Sequence, residues 1–176
     1  MTCSASTPRR AATDKILNTA AWKAILFITA AVLLAACSSS PDPDEPPTIL
    51  YGEDVCDRCM MIINEARFAT AYTTNDGQTR RFDDIGGMAR HDRDMNEDVA
   101  TYWVHDYETE EWLKAETAYF VKDDKLHTPM GFGIIAFNSQ ERAESWAAEQ
   151  GGTMMTFSEI MAAEELSEDS DHQQDS

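Results

Sequence analysis

Two cysteines three apart, followed at once by a pair of methionines, make Val55-Cys56-Asp57-Arg58-Cys59-Met60-Met61 the most reactive stretch of this chain. Such a pair can form a disulfide, cycle between dithiol and disulfide, or hold a metal, and spacing alone leaves these open. Redox pairs of the thioredoxin kind sit at a helix N-terminus that favours the thiolate, whereas Met60-Met61-Ile62-Ile63 reads as a strand. Haem attachment needs histidine where this chain has Met60. Methionine favours the metal reading. A thioether is neutral at every pH, forms no disulfide, and as a soft donor suits Cu(I) far better than zinc or magnesium. In an extended segment Cys59 and Met61, two apart, project to the same side while Met60 points away. Met130 lies in Thr128-Pro129-Met130-Gly131-Phe132-Gly133, a bend that can present a side chain, and is the candidate third sulfur. Met154, Met155 and Met161 sit in apolar runs and read as core fillers.

The other polar residues carry less chemistry. In Phe82-Asp83-Asp84-Ile85-Gly86 at least one aspartate caps a helix, leaving the other free to meet a partner, and hard carboxylates are poor Cu(I) ligands. His91, His105 and His127 are scattered; His105 reads as structural. A structural zinc site on Cys56, Cys59 and two histidines is an alternative, as is a thiol-disulfide oxidoreductase using the two cysteines.

The elements that must position these residues are partly legible. Residues 66–74 alternate Phe68, Thr70 and Tyr72 on one face, Asn75-Asp76-Gly77 supplies a turn, and 79–82 returns as the second arm of a hairpin. A helix capped by Asp83 or Asp84 runs to about Met95. Residues 99–105 and 117–122 form a second strand pair, and 134–137 a further strand. Asn138 and Glu141 fit a capping box for a helix closed by Gly151-Gly152, before a strand at 153–157. Locally paired strands followed by a helix, twice over, predict an α+β sandwich of two β-β-α units.

The flanks read as export and anchoring. Residues 24–36 are an uncharged run behind Arg9, Arg10, Lys15 and Lys23, too short to span a bilayer comfortably and suited to a signal sequence over 1–36. Leu34-Ala35-Ala36-Cys37 resembles the bacterial lipobox, whose cysteine is lipidated and becomes the new N-terminus; acyl chains on Cys37 would anchor the protein to a membrane without spanning it. Residues 37–47 then form a lipidated cysteine with a proline-rich tether, 48–163 the folded domain, and 164–176, with six acids and no base, a disordered tail. Against 32 acidic residues stand 14 basic ones, a net charge of -18, and cleavage would remove four of those bases but one acid. A surface this acidic excludes nucleic acid binding.

The motifs together resemble the NosL family, exported lipoprotein accessory factors of nitrous oxide reductase. The resemblance rests on Cys56-x-x-Cys59-x-Met61-x-Ile63, Phe82-Asp83-Asp84-Ile85-Gly86, His105-Asp106-Tyr107 with Trp112, and Thr128-Pro129-Met130-Gly131 running into Ala136-Phe137, in the family's order. It implies a Cu(I) chaperone, not an enzyme, that is lipid-anchored at a bacterial membrane facing the periplasm. Its partners would be nitrous oxide reductase and the Nos ABC-type membrane complex. It also implies two β-β-α units similar to part of the organomercurial lyase fold. Residue by residue, the family's Cys-x-Met element falls on Cys59 and Met61, with Met130 as the further sulfur ligand; Cys56, Met60 and Met88 are additional candidates. The chain departs from the family in carrying Met60 where glycine is usual, and Gly87 before Met88 where relatives often have cysteine or another small residue.

Overall fold

The structure, a computed structural model, describes residues 42–163. The expected leader over 1–36, the expected lipidation at Cys37 and the acidic segment 164–176 lie outside the described residues, among which no helix is long and apolar enough to cross a membrane.

Among the described residues seven strands form two antiparallel sheets. The first, in order β2-β1-β3-β4, comprises β1 (Thr70–Thr74), β2 (Thr79–Phe82), β3 (Val99–His105) and β4 (Trp112–Lys114); the second, in order β6-β5-β7, comprises β5 (Tyr119–Lys122), β6 (Ile134–Phe137) and β7 (Thr153–Met155). Helix α1 (Ile85–Met95) follows the β1-β2 hairpin, α2 (Gln140–Gln150) follows β5-β6, and α3 (Phe157–Ala162) closes the described chain. The two β-β-α units are therefore present, joined where Tyr107 N–H donates to Ala136 O at 2.8 Å beside the parallel bridge of Asp106 with Ala136.

Burial explains the layering. Phe120, Ile134 and Ala136 join Tyr72, Phe82, Ile85, Met88 and Val104 in the main core, while the alternate residues Val121, Ile135 and Phe137 face Ala143 and Ala147 of α2. Strands β5 and β6 thus bury both faces, which is why Ile134–Phe137 is apolar throughout.

Several local expectations need correction. Residues 66–68 form a 3-10 turn, and β1 begins only at Thr70 with all five residues buried, so no polar face alternates there. Strand β3 pairs with β1 and β4, while β5 pairs with β6 and β7; the expected pairing of 99–105 with 117–122 does not occur. The second helix is capped by Ser139, whose side chain accepts from Arg142 N, while Asn138, one residue earlier, donates its N–H to Asp106 Oδ2 at 2.7 Å. The capping box lies instead at Thr156 and Glu159, opening α3, which ends the strand expected over 153–157 at Met155.

Candidate metal centre

The cysteines lie on a ribbon that folds back on itself ahead of the first sheet. Gly52 N–H donates to Ile63 O and Ile63 N–H to Asp54 O, Val55 bridges Ile62, and Cys56 N–H donates to Met61 O at 2.8 Å. The reversal falls at Met60, whose N–H donates to Cys56 O and whose φ is 62°. Met60-Met61-Ile62-Ile63 is accordingly the return arm of a tight turn and not a regular strand, so the pleat that was to bring Cys59 and Met61 to one side is absent.

Three attachments fix the ribbon to the scaffold. Asp57 N–H donates to Arg81 O at 2.8 Å and Arg81 N–H to Asp57 Oδ2 at 2.7 Å, sewing the ribbon to the free edge of β2. Arg58 pairs with Asp94 of α1 at 2.7 Å. Cys59 donates its thiol to Asp83, 3.4 Å from Oδ2, at the start of the same helix.

This last contact assembles the site. The Sγ atoms of Cys56 and Cys59 and a carboxylate oxygen of Asp83 all lie within 4.8 Å of one another, and both cysteines are free thiols. Cys56 is fully buried and Cys59 partly so. Burial pushes the Cys56 thiol up to about 12, outweighing the amide N–H groups that point at its sulfur. That is the reverse of the activated thiol a redox catalyst uses. No histidine belongs to the cluster: His105 is buried, with its ring nitrogens facing Ala69 O at 2.8 Å and Tyr51 Oη at 3.1 Å, and its ring lies against Trp112. The aspartate pair divides its labour. Asp84 caps α1 by accepting from Gly86 N–H, whereas Asp83 turns to the sulfurs.

Of the methionines, Met61 is 61% and Met60 73% exposed on the ribbon. Met88 is wholly buried, its sulfur 2.8 Å from the Thr70 hydroxyl, which donates to Trp103 O at 2.6 Å, inside the core and not at the ribbon. Met130 is half-buried and held by α1. The carboxylate of Asp84 accepts Met130 N–H at 3.1 Å and the Thr128 hydroxyl at 2.5 Å, Thr128 Oγ1 accepts Gly133 N–H, and the Met130 sulfur rests on Gly87. The cysteine ribbon and the Met130 loop are therefore both seated on the N-terminal end of α1. Sequence reasoning missed Asp83 as part of the sulfur cluster. The available signal was the aspartate doublet, since a helix needs one cap and leaves the second carboxylate to be explained.

The family model for NosL matches residues 47–164. The chain belongs to the NosL family. Among solved structures, the crystal structure of the copper chaperone NosL from Shewanella denitrificans aligns with a TM-score of 0.58 at 21% identity, covering 68% of this chain and 96% of that one, which establishes the shared fold. Comparison with curated proteins gives no match. Met60, read from the sequence as a departure from the family pattern, has a left-handed backbone, a conformation that glycine adopts without steric cost. Asp106 of the His105-Asp106-Tyr107 motif organises a turn. Asp106 accepts backbone N–H groups from Glu108, Thr109 and Asn138; burial alone would push its carboxyl up, but these amides outweigh it and hold it below the usual carboxylate range.

Proposed function

We propose that this NosL-family protein is a Cu(I) carrier that delivers copper for the metal centres of nitrous oxide reductase, working with the Nos ABC-type membrane complex. The observation that carries this reading is the cluster of two free thiols with donor atoms within 4.8 Å of each other and of Asp83, one thiol buried and the other partly exposed, on a ribbon that also carries the exposed side chain of Met61. Cys59 and Met61 hold the ion, Met130 completes the set from the adjoining loop, and Cys56 is an inner thiol that joins when its proton is displaced. The solved relative, named a copper chaperone, supports the same cargo. Soft sulfur donors select Cu(I) over the abundant hard cations, and a site with few anionic ligands at the surface releases it to an acceptor by ligand exchange.

The surroundings suit handover. Leu50, Val55, Met60, Met61 and Ile62 are exposed apolar side chains on the ribbon itself, and Glu53, Asp57 and Glu65 are exposed among them. An apolar patch with an acidic rim is the surface of a docking face. We further propose that Cys37 is lipidated and holds the domain at a bacterial membrane on the periplasmic side, the tether supplying reach.

The test is transfer. Copper-loaded protein mixed anaerobically with copper-free nitrous oxide reductase and its membrane complex restores the reductase's copper content and visible absorption. Loaded protein that restores neither under conditions where free Cu(I) does would contradict the reading.

A further inference from the structure

The two cysteines of the cluster are held in opposite ways. Cys56 is fixed through its backbone: its N–H donates to Met61 O at 2.8 Å and its carbonyl accepts Met60 N–H at 3.0 Å. Its sulfur is wholly buried, and the amide N–H groups of Cys59, Asp83 and Arg58 point at it. Converging amides of this kind hold a sulfur in place and suit it best when it carries negative charge, as it does when bound to a metal. Cys59 is partly exposed and is tied through the thiol itself, which donates to the Asp83 carboxylate at 3.4 Å. A thiolate bound to copper has no proton to donate, so Asp83 and copper are alternative partners for Cys59.

This order of exposure gives an order of departure. An acceptor approaches from solvent, where it meets the exposed side chain of Met61 and the partly exposed Cys59, while Cys56 offers it no surface. Cys59 exchanges copper for Asp83 with no backbone bond broken. Cys56 cannot follow the ion outward without giving up its bonds to Met60 and Met61, the return arm of the turn.

We infer that Cys56 is the retaining ligand of the carrier: in handover Cys59 and Met61 give up Cu(I) first, and the bond to Cys56 is the last to break. The inference rests on the carrier reading above. In the first step a neutral soft ligand of the acceptor, a thioether or an imidazole, bonds to copper as the Cys59–copper bond breaks, and the Cys59 thiolate takes a proton from water and returns to Asp83. In the second step another acceptor ligand bonds as the Cys56–copper bond breaks, and Cys56 takes up a proton in its turn. Copper stays Cu(I) throughout. An encounter that offers one ligand therefore does not strip the ion, and release goes to a partner that presents two.

The experiment mixes purified, reduced, Cu(I)-loaded protein anaerobically in a stopped-flow cell with a rising excess of a chromogenic bidentate Cu(I) chelator, as wild type, Cys56→Ser and Cys59→Ser. The wild-type transfer rate rises with chelator and levels off at a limit set by the last protein bond. Cys59→Ser steepens the initial rise and leaves the limit in place, whereas Cys56→Ser raises the limit by about tenfold or more. No limit in wild type, or a limit raised by Cys59→Ser and unmoved by Cys56→Ser, overturns the order. A second measurement needs no substitution in the buried cradle. Wild-type protein is loaded with Ag(I), a soft ion of the same charge whose nuclear spin couples to the β protons of the cysteines that hold it. An equal amount of the chelator removes the Cys59 coupling and leaves that of Cys56; loss of the Cys56 coupling first, or its absence from the loaded protein, overturns retention. Wild-type protein that binds neither ion overturns the carrier reading itself.

Discussion

The thiol of Cys59 donates to the carboxylate of Asp83 at 3.4 Å, across 24 residues of sequence, and this contact joins the cysteine ribbon to the head of α1. It places one hard oxygen beside two soft sulfurs. A carboxylate adds little to a Cu(I)–sulfur site but much to binding of a divalent ion. Asp83→Asn should therefore leave Cu(I) affinity within about threefold while weakening Zn(II) by about tenfold or more, as read by competitive titration of each ion. Equal losses for both ions would make Asp83 a Cu(I) ligand in its own right.

Met60 holds a left-handed backbone at φ 62° with its side chain in solvent. That conformation costs an L-residue about 1–2 kcal/mol. Met60→Gly should raise stability by about 1 kcal/mol in chemical denaturation and leave copper affinity unchanged. A fall in affinity would show that the Met60 thioether takes part.

Cys56 is neutral across the physiological range because burial raises its thiol to about 12 from an ordinary 9.0. In the native, metal-free protein, iodoacetamide at neutral pH should modify Cys59 and spare Cys56, and both should react after unfolding, as peptide mass spectrometry resolves. The linkage has a definite sign. The folded state keeps a proton that the unfolded state gives up, so this contribution to stability is complete below pH 9.0 and is lost as pH rises toward 12. Cys56→Ala should flatten the stability profile from about pH 9 upward.

Much of this architecture was legible because its signals are local. The Asn75-Asp76-Gly77 turn, the Asp84 cap and the Gly151 stop are encoded within a few residues of where they act, and both β-β-α units followed from them. What escaped depended on contacts between distant segments. β4 is three residues long and exists only as the partner of β3, and Asp106 holds the Asn138 N–H from 32 residues earlier, just ahead of the Ser139 cap. The α3 box was readable in Thr156-Phe157-Ser158-Glu159, but the apolar residues before it suggested that the strand continued. At the site, sequence identified Cys56 and Cys59 by residue type; the seat of Asp83 against the sulfurs and of Met130 on Gly87 could not be read from spacing.

The Thr128 hydroxyl ties the Met130 loop to the helix by donating to Asp84 while accepting from Gly133 N–H. Thr128→Val removes both bonds and leaves a buried carboxylate oxygen with one partner fewer, at a cost of about 1–3 kcal/mol. The loop should loosen, with stability and copper affinity falling together, whereas Thr128→Ser should retain most of each. A valine variant that loses stability but binds copper normally would remove Met130 from the ligand set.

The most direct test of the central claim is an anaerobic Cu(I) titration of the reduced protein against a chromogenic chelator, comparing wild type with Cys59→Ser, Met61→Leu and Met130→Leu. The carrier account predicts that wild type takes up about one Cu(I) tightly and that the cysteine and both methionine variants each lose affinity, by about tenfold or more. Binding that is absent in wild type, or that survives both methionine changes, would contradict it and return Cys56 and Cys59 to the thiol-disulfide reading.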